Sequence, residues 1–324
     1  MRGGGSGTQM VRLHHANGST AEVEPYGATV TSYCPSGPQP VRDVFFVSSK
    51  AALDGSKPIR GGVPLCWPQF GPGPLPRHGI VRQRMWRVVE PSCADAAAST
   101  VAVLALDSDE STRREWPVDF RAELRVELQA EALVMELAYT LSAAAPVPVT
   151  GALHNYFAVG DVRRATVQFP VEGSTVLDNP TGRAELPRSA APAAVRFDGE
   201  HDRIYLSVPN DVRVRDGEWR RVICVHRTAG VPDVVVWNPW IEIARATADL
   251  DDSDYLRFVC VESTSFEDAV HGTESLLSPS PTPGGVAAAQ PRSKNTPLAV
   301  PGTRYVLSQT ISVEPFDDAS AANL

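Results

Sequence analysis

Lysine is almost missing from this 324-residue chain: Lys50, Lys57 and Lys294 are the only three, so arginine carries nearly all the positive charge. No apolar run approaches the ~18 residues of a membrane-spanning helix. The start, Met1 to Gln9, is Gly-rich with no apolar stretch behind it, and reads as a flexible tail and not as a secretory signal. The five cysteines (Cys34, Cys66, Cys93, Cys224, Cys260) are an odd number without a Cys-x-x-Cys pair. Reduced thiols inside a cell are therefore expected, with neither a disulfide framework nor a zinc site. A phosphate-cradling glycine loop of the nucleotide-binding kinds and a nucleophile-elbow serine are also lacking, so no cofactor or nucleotide is implied. The acidic run Asp249–Asp254 has neither the glycine nor the distant glutamate of an EF-hand, and reads as a solvated stretch without metal. Net charge is −8. That argues against nucleic-acid or membrane-surface binding, and an anionic substrate would need a locally basic site.

Strict alternation is what the sequence has in abundance. Phe120, Ala122, Leu124, Val126 and Leu128 share one face, with Arg121, Glu123, Arg125, Glu127 and Gln129 on the other. After a polar break, Leu133, Met135, Leu137, Tyr139 and Leu141 repeat the pattern. Period two on both sides of a short turn predicts an antiparallel hairpin with one buried face. Similar runs recur at Val44–Val47, Val101–Leu106, Val167–Phe169, Val222–Val225, Val234–Trp237, Phe258–Val261 and Tyr305–Val313, divided by Pro, Gly, Asp and Asn turns. Short helices fit only Ser48–Ala52 and the stretch from Glu242 to Leu256. The expectation is an all-β, antiparallel sandwich with few short helices, one domain over residues 10–315. A Ser/Pro/Gly/Ala-rich insertion at 268–296 interrupts that domain, and residues 316–324 form a C-terminal tail.

Between Arg60 and Val89 lie Arg60, Arg77, Arg82, Arg84, Arg87 and His78, with no Asp, Glu or Lys until Glu90. A planar guanidinium grips a phosphate through two parallel hydrogen bonds, which makes this an anion-binding candidate. Arg84 and Arg87 fit an ordinary surface equally well. Arg60 precedes Gly61-Gly62, where missing side chains let a ligand approach the backbone. Glu262 ends the run Phe258-Val-Cys-Val, apolar on both faces, so its carboxyl is buried. Burial raises a carboxyl pKa toward the range of a general base working near pH 7. The competing reading is a structural ion pair with an arginine. His154, in Gly151-Ala-Leu-His-Asn-Tyr-Phe157, reads locally as a satisfied core residue, though its chemistry also suits a general acid.

Several segments together resemble the glucose-6-phosphate 1-epimerase (hexose-6-phosphate mutarotase) family within the aldose 1-epimerase group. They are Asp54-Gly-Ser-Lys-Pro-Ile-Arg-Gly-Gly-Val-Pro-Leu-Cys-Trp-Pro-Gln-Phe-Gly71, His78-Gly-Ile-Val-Arg82, Leu153-His-Asn-Tyr-Phe157, Asp202-Arg-Ile-Tyr205, Val236-Trp-Asn-Pro-Trp240 and Cys260-Val-Glu262. The resemblance implies a galactose-mutarotase-type sandwich and a reaction without cofactor or metal. It implies Glu262 as base and His154 as acid, His78 and Asp202 as sugar contacts, and Arg60 and Arg82 as phosphate contacts. Gln69 and Asn238 fall in matching motifs and are candidate contacts to sugar hydroxyls. The long insertion after Glu267, and Asn155 where threonine is common, depart from the pattern. The expected partner is a small-molecule hexose phosphate, glucose 6-phosphate first, bound by a monomer. A non-catalytic sugar-phosphate sensor and an epimerase of unphosphorylated aldoses are the alternatives. A cytosolic location is expected, although Ala322-Asn323-Leu324 loosely resembles the peroxisomal Ser-Lys-Leu address.

Overall fold

The alternation between Phe120 and Leu141 becomes the antiparallel pair Asp119–Leu128 and Ala132–Ser142, with Phe120 opposite Leu141, Leu124 opposite Leu137 and Leu128 opposite Leu133. The apolar set is buried, while Arg121 and Arg125 form ion pairs on the outer face. The structure, a computed structural model, describes residues 10–37, 42–90, 100–170, 174–186, 194–266 and 297–317. The N-terminal tail, the 268–296 insertion, Cys93 and the Ala322–Leu324 tripeptide lie outside the described residues.

This hairpin belongs to a nine-stranded antiparallel sheet that runs, in spatial order, Ala194–Arg196, Ala165–Gln168, Asp211–Asp216, Arg221–Ala229, Arg304–Pro315, Ala132–Ser142, Asp119–Leu128, Val101–Asp107 and Arg87–Glu90. A seven-stranded sheet faces it, in the order Ala184–Leu186, Thr175–Asp178, His201–Leu206, Asp233–Asn238, Phe258–Ser265, Gly151–Ala158 and Leu65–Cys66. Leu124, Leu137, Ile223 and Ile311 from the first sheet share one core with Leu153, Phe157, Val236 and Val261 from the second. A meander of Val11–His14, Thr20–Glu24 and Thr29–Cys34 adds Leu13, Val23 and Val30 to that core. This is the expected antiparallel sandwich.

Four local expectations change. Val44–Val47 makes only isolated bridges, Phe45 to Phe157 and Val47 to Gly61. Ser48–Ala52 is a turn and not a helix, while the second helical stretch holds Trp240–Ala246 and a single 3-10 turn at Asp254–Leu256. A helix the alternation hid, Glu110–Glu115, starts at a reciprocal cap between Asp109 and Thr112. Gly61 and Gly62 have positive φ, and a Cβ there would lie 2.3 Å from the Phe46 carbonyl oxygen and 2.2 Å from that of Val30. The absent side chains admit neighbouring backbone, not a ligand.

The strands Gly151–Ala158 and Phe258–Ser265 are buried on both faces along almost their whole length. Leu153, Phe157, Val259 and Val261 turn to the shared core. The other face carries His154, Tyr156, Cys260 and Glu262. Two small apolar clusters cover parts of that face, one around Cys66, Phe70, Ala152, Ile204, Val235 and Phe266, the other around Tyr156, Leu250, Phe258 and Cys260.

Candidate active site

Register decides which groups meet on the second face. Leu177, Ile204, Val235, Glu262 and His154 sit side by side across five neighbouring strands. Next to this row, Asp202 is opposite Trp237, Trp237 opposite Cys260, and Cys260 opposite Tyr156. The two rows floor a cavity of about 980 Å³.

His154 Nε2 lies 3.3 Å from Glu262 Oε1, and both side chains are buried. Burial pushes the Glu262 carboxyl far above the usual range, and the neighbouring Asp202 carboxylate adds to the shift. Burial pushes the imidazole of His154 down to about 3, with the cations Arg82 and Arg60 acting in the same direction. At neutral pH the pair therefore holds one proton and little net charge. Among the described residues Glu262 Oε2 and His154 Nδ1 have no side-chain hydrogen-bond partner. An unmatched carboxyl oxygen in a buried wall is costly, and it leaves Glu262 able to meet a ligand. Among the described residues Glu262 pairs with His154 and with no arginine.

His78 hangs over this pair from the loop after Gly71, its ring 5.5 Å from that of His154 and edge-on to it. The Gly71 N–H donates to its Nδ1 at 3.3 Å and Arg77 Nε lies 3.3 Å from Nε2. Burial first, and then the cationic form of His154 and the arginines, hold its pKa well below the ordinary value, so the ring is neutral. Asp202 accepts a 2.6 Å hydrogen bond from Asn179 Nδ2 at the cavity wall. Arg60 donates from Nε to Asp249 (3.0 Å) and from Nη1 to the Tyr156 hydroxyl (3.1 Å). Arg82 donates from Nη2 to the Arg77 carbonyl (2.8 Å), and among the described residues its buried Nε has no partner. Arg60, Arg77 and Arg82 all line the cavity. Arg84 and Arg87 instead pair with Glu115 and Asp107 on the outer surface.

Six of the eight proposed site residues thus converge: Glu262, His154, His78, Asp202, Arg60 and Arg82. Gln69 and Asn238 do not. The Gln69 amide donates to the Gly71 and Leu75 carbonyls and accepts from the Leu75 N–H, bracing the proline-rich loop from within. Asn238 donates to the carbonyls of Tyr255 and Phe258 and accepts from the Trp240 N–H, tying the helix Trp240–Ala246 to its strand. Both amides are engaged inside the fold, which corrects their expected contact with sugar. The acidic run is corrected too, because Asp249 turns inward to Arg60 and is not simply solvated. Tyr156, Trp237, Asn179 and Asp249 join the site unannounced, and Arg77 joins it from the arginine-rich segment. Tyr156 could have been found, since it stands two residues after His154 in a strand and so shares its face.

Comparison with known proteins bears on the family and the fold. The sequence model described as aldose 1-epimerase matches residues 9–272. The chain belongs to the aldose 1-epimerase family. A relative from Cenchrus ciliaris named "Putative glucose-6-phosphate 1-epimerase" is 34% identical over 269 residues, covering 81% of this chain and 80% of its own. One of the same name from Escherichia coli K12 is 31% identical over 242 residues, covering 73% and 76%. Among solved structures, a Salmonella typhimurium protein titled a "putative mutarotase" superposes with a TM-score of 0.70 at 27% identity, covering 92% of this chain and 88% of that one. An aldose 1-epimerase-like structure from E. coli K12 has a TM-score of 0.68 at 13% identity, covering 95% and 99%, a likeness of fold alone. The epimerase is an isomerase acting on a small sugar.

Proposed function

We propose that this epimerase interconverts the α and β anomers of hexose 6-phosphates, glucose 6-phosphate first among them. The observation that carries the reading is the buried Glu262–His154 pair in a cavity that also holds Arg60, Arg77 and Arg82. A chain of net charge −8 has little reason to gather three arginines over an uncharged sugar.

Glu262 takes the proton of the C1 hydroxyl while His154 gives one to the ring oxygen. The C1–O5 bond breaks and an open-chain aldehyde forms. C1 turns, and either face recloses as His154 takes back the ring-hydroxyl proton and Glu262 returns the other. Protons and electrons balance within the sugar and the pair. Opening converts carboxylate and imidazolium into carboxylic acid and imidazole, the state the dry wall favours. Each proton transfer contributes ~10²–10⁴-fold. His78 and Asp202 are suited to hold ring oxygens, and the arginines to fix the phosphate and so the register of the sugar.

The test is anomer exchange of glucose 6-phosphate measured by NMR exchange spectroscopy. Acceleration by the protein, lost in His154→Ala, supports the reading. Faster exchange of glucose than of glucose 6-phosphate would move the assignment to unphosphorylated aldoses. Binding without acceleration would make the protein a sensor.

A further inference from the structure

Among the described residues no other side chain hydrogen-bonds the buried Nδ1 of His154, and its own main chain is the one hydrogen-bonding group that favours the charged ring. An imidazole that must aim one nitrogen at a reacting oxygen needs some other restraint on its tilt. The Tyr156 ring supplies a nearly parallel surface, with centroids 4.8 Å apart and planes 8° apart. Trp237 meets both rings edge-on, at 6.4 Å from His154 and 6.1 Å from Tyr156. Tyr156 is itself tethered, because its hydroxyl accepts from Arg60, which Asp249 holds.

We infer that Tyr156 is a positioning residue for His154, its ring serving as the platform that aims the imidazole and as the π-face that stabilises its protonated form. Asp249 and Arg60 keep that platform in place. The inference rests on the acid role of His154 proposed above. It concerns that role whichever sugar is bound.

The charge inventory around the ring shows why a π-face matters. Glu262 approaches from the adjacent strand, His78 from the overhanging loop, and Arg60, Arg77 and Arg82 from the cavity wall, with Asp202 beyond Glu262. The arginines oppose an imidazolium, as burial does. The electron-rich face of Tyr156 is a neutral group that favours it.

In a pair whose acid has the lower proton affinity, the active tautomer is a minority of the one-proton form. Weakening the imidazolium further lowers the plateau of kcat and moves the acidic limb of its pH profile to lower pH. Replacing the aromatic face in Tyr156→Leu should lower the plateau by roughly 2- to 30-fold, from the usual size of a cation–π contact. KM should change less than kcat. Tyr156→Phe keeps the ring and should recover most of the loss.

Should Tyr156→Leu fail to fold, Tyr156→pentafluorophenylalanine compared with Tyr156→Phe asks the same question with the shape conserved. The electron-poor ring should reduce kcat and shift the acidic limb in the same direction. A profile superimposable on that of Tyr156→Phe would overturn the inference, as would equal damage in Tyr156→Phe and Tyr156→Leu. Loss of exchange in His154→Ala without any effect at Tyr156 overturns only the inference. Normal exchange in His154→Ala overturns the mechanism beneath it.

Discussion

Glu262→Gln separates a catalytic carboxyl from a structural one, because the two roles predict opposite changes in stability. The side chain is about 3% exposed, and among the described residues its one polar contact is to His154 at 3.3 Å, while Oε2 has no hydrogen-bond partner. Glutamine matches it in volume and can retain the histidine contact. The folded-state pKa of Glu262 lies well above its ordinary value near 4.5. Between those two values the folded state binds more protons than the unfolded state, so stability falls as pH rises. The glutamine variant has no such dependence at this site. It should be more stable at pH 7 by up to about 3 kcal/mol, the ~1.4 kcal/mol per pH unit that accumulates between the ordinary value near 4.5 and pH 7, with a corresponding rise in Tm. The advantage should vanish near pH 4, where the unfolded carboxyl is also protonated. Anomer exchange should drop at least ~10²-fold, the lower bound for losing a general base. Thermal melts at pH 4 and pH 7, beside NMR exchange rates at pH 7, check both halves. A variant less stable than the parent at pH 7 by more than about 1 kcal/mol, or one retaining near-normal exchange, refutes the reasoning.

Arg77→Ala and Arg82→Ala should each raise KM for glucose 6-phosphate about tenfold or more while leaving KM for glucose within about twofold, given the ~1.5–3 kcal/mol of a charged hydrogen bond. Equal effects on both sugars in steady-state assays would contradict a phosphate role. His154, with its pKa lowered to about 3, binds fewer protons in the folded state below its ordinary value of 6.5. Its contribution to stability is thus lost as pH falls from about 6.5 toward 3, and His154→Gln should flatten the acid side of a urea-derived stability profile. Asn155→Ala leaves the Gln309 amide without its reciprocal partner in the core, and should cost roughly 1–3 kcal/mol in urea melts. Gln69→Ala should raise KM through a looser 71–78 loop, with protease sensitivity at that loop rising in parallel.

Legibility in the sequence followed the range of each signal. Alternation at Phe120–Leu141 is local, and the hairpin emerged as expected. The two-faced apolar run at Phe258–Val261 marked Glu262 as buried before any fold was known. His154 was different: aromatic neighbours describe a core histidine as well as a site histidine, and only its register opposite Glu262 separates the two. Gln69 and Asn238 were overread because membership in a motif does not tell which way an amide turns. Gly61 and Gly62 were read as ligand clearance when the obstacle was backbone from Phe46 and Val30. Asp249 looked solvated because its partner, Arg60, stands 189 positions away. Charge pairs closed over such distances leave no mark in composition or period.

The residues behind the pair explain how a 3.3 Å contact between two strands is kept. Asn155 follows His154 and Ser263 follows Glu262, so both turn to the opposite face, into the core. There Asn155 Nδ2 and Ser263 Oγ both donate to Gln309 Oε1, at 3.0 and 2.7 Å, and Gln309 Nε2 returns a 2.6 Å bond to Asn155 Oδ1. Gln309 stands on Arg304–Pro315 of the facing sheet. Three polar groups thus join the two catalytic strands to one point of the other sheet, directly behind the reacting groups. Slipping either strand by one residue would turn His154 or Glu262 into the core and leave this cluster unsatisfied as well. On the cavity face, among the described residues, Glu262 Oε2 stays unmatched for a substrate, while the core face matches its own polar atoms almost completely. That asymmetry across the thickness of one sheet lets a dry, costly acid–base pair persist in register.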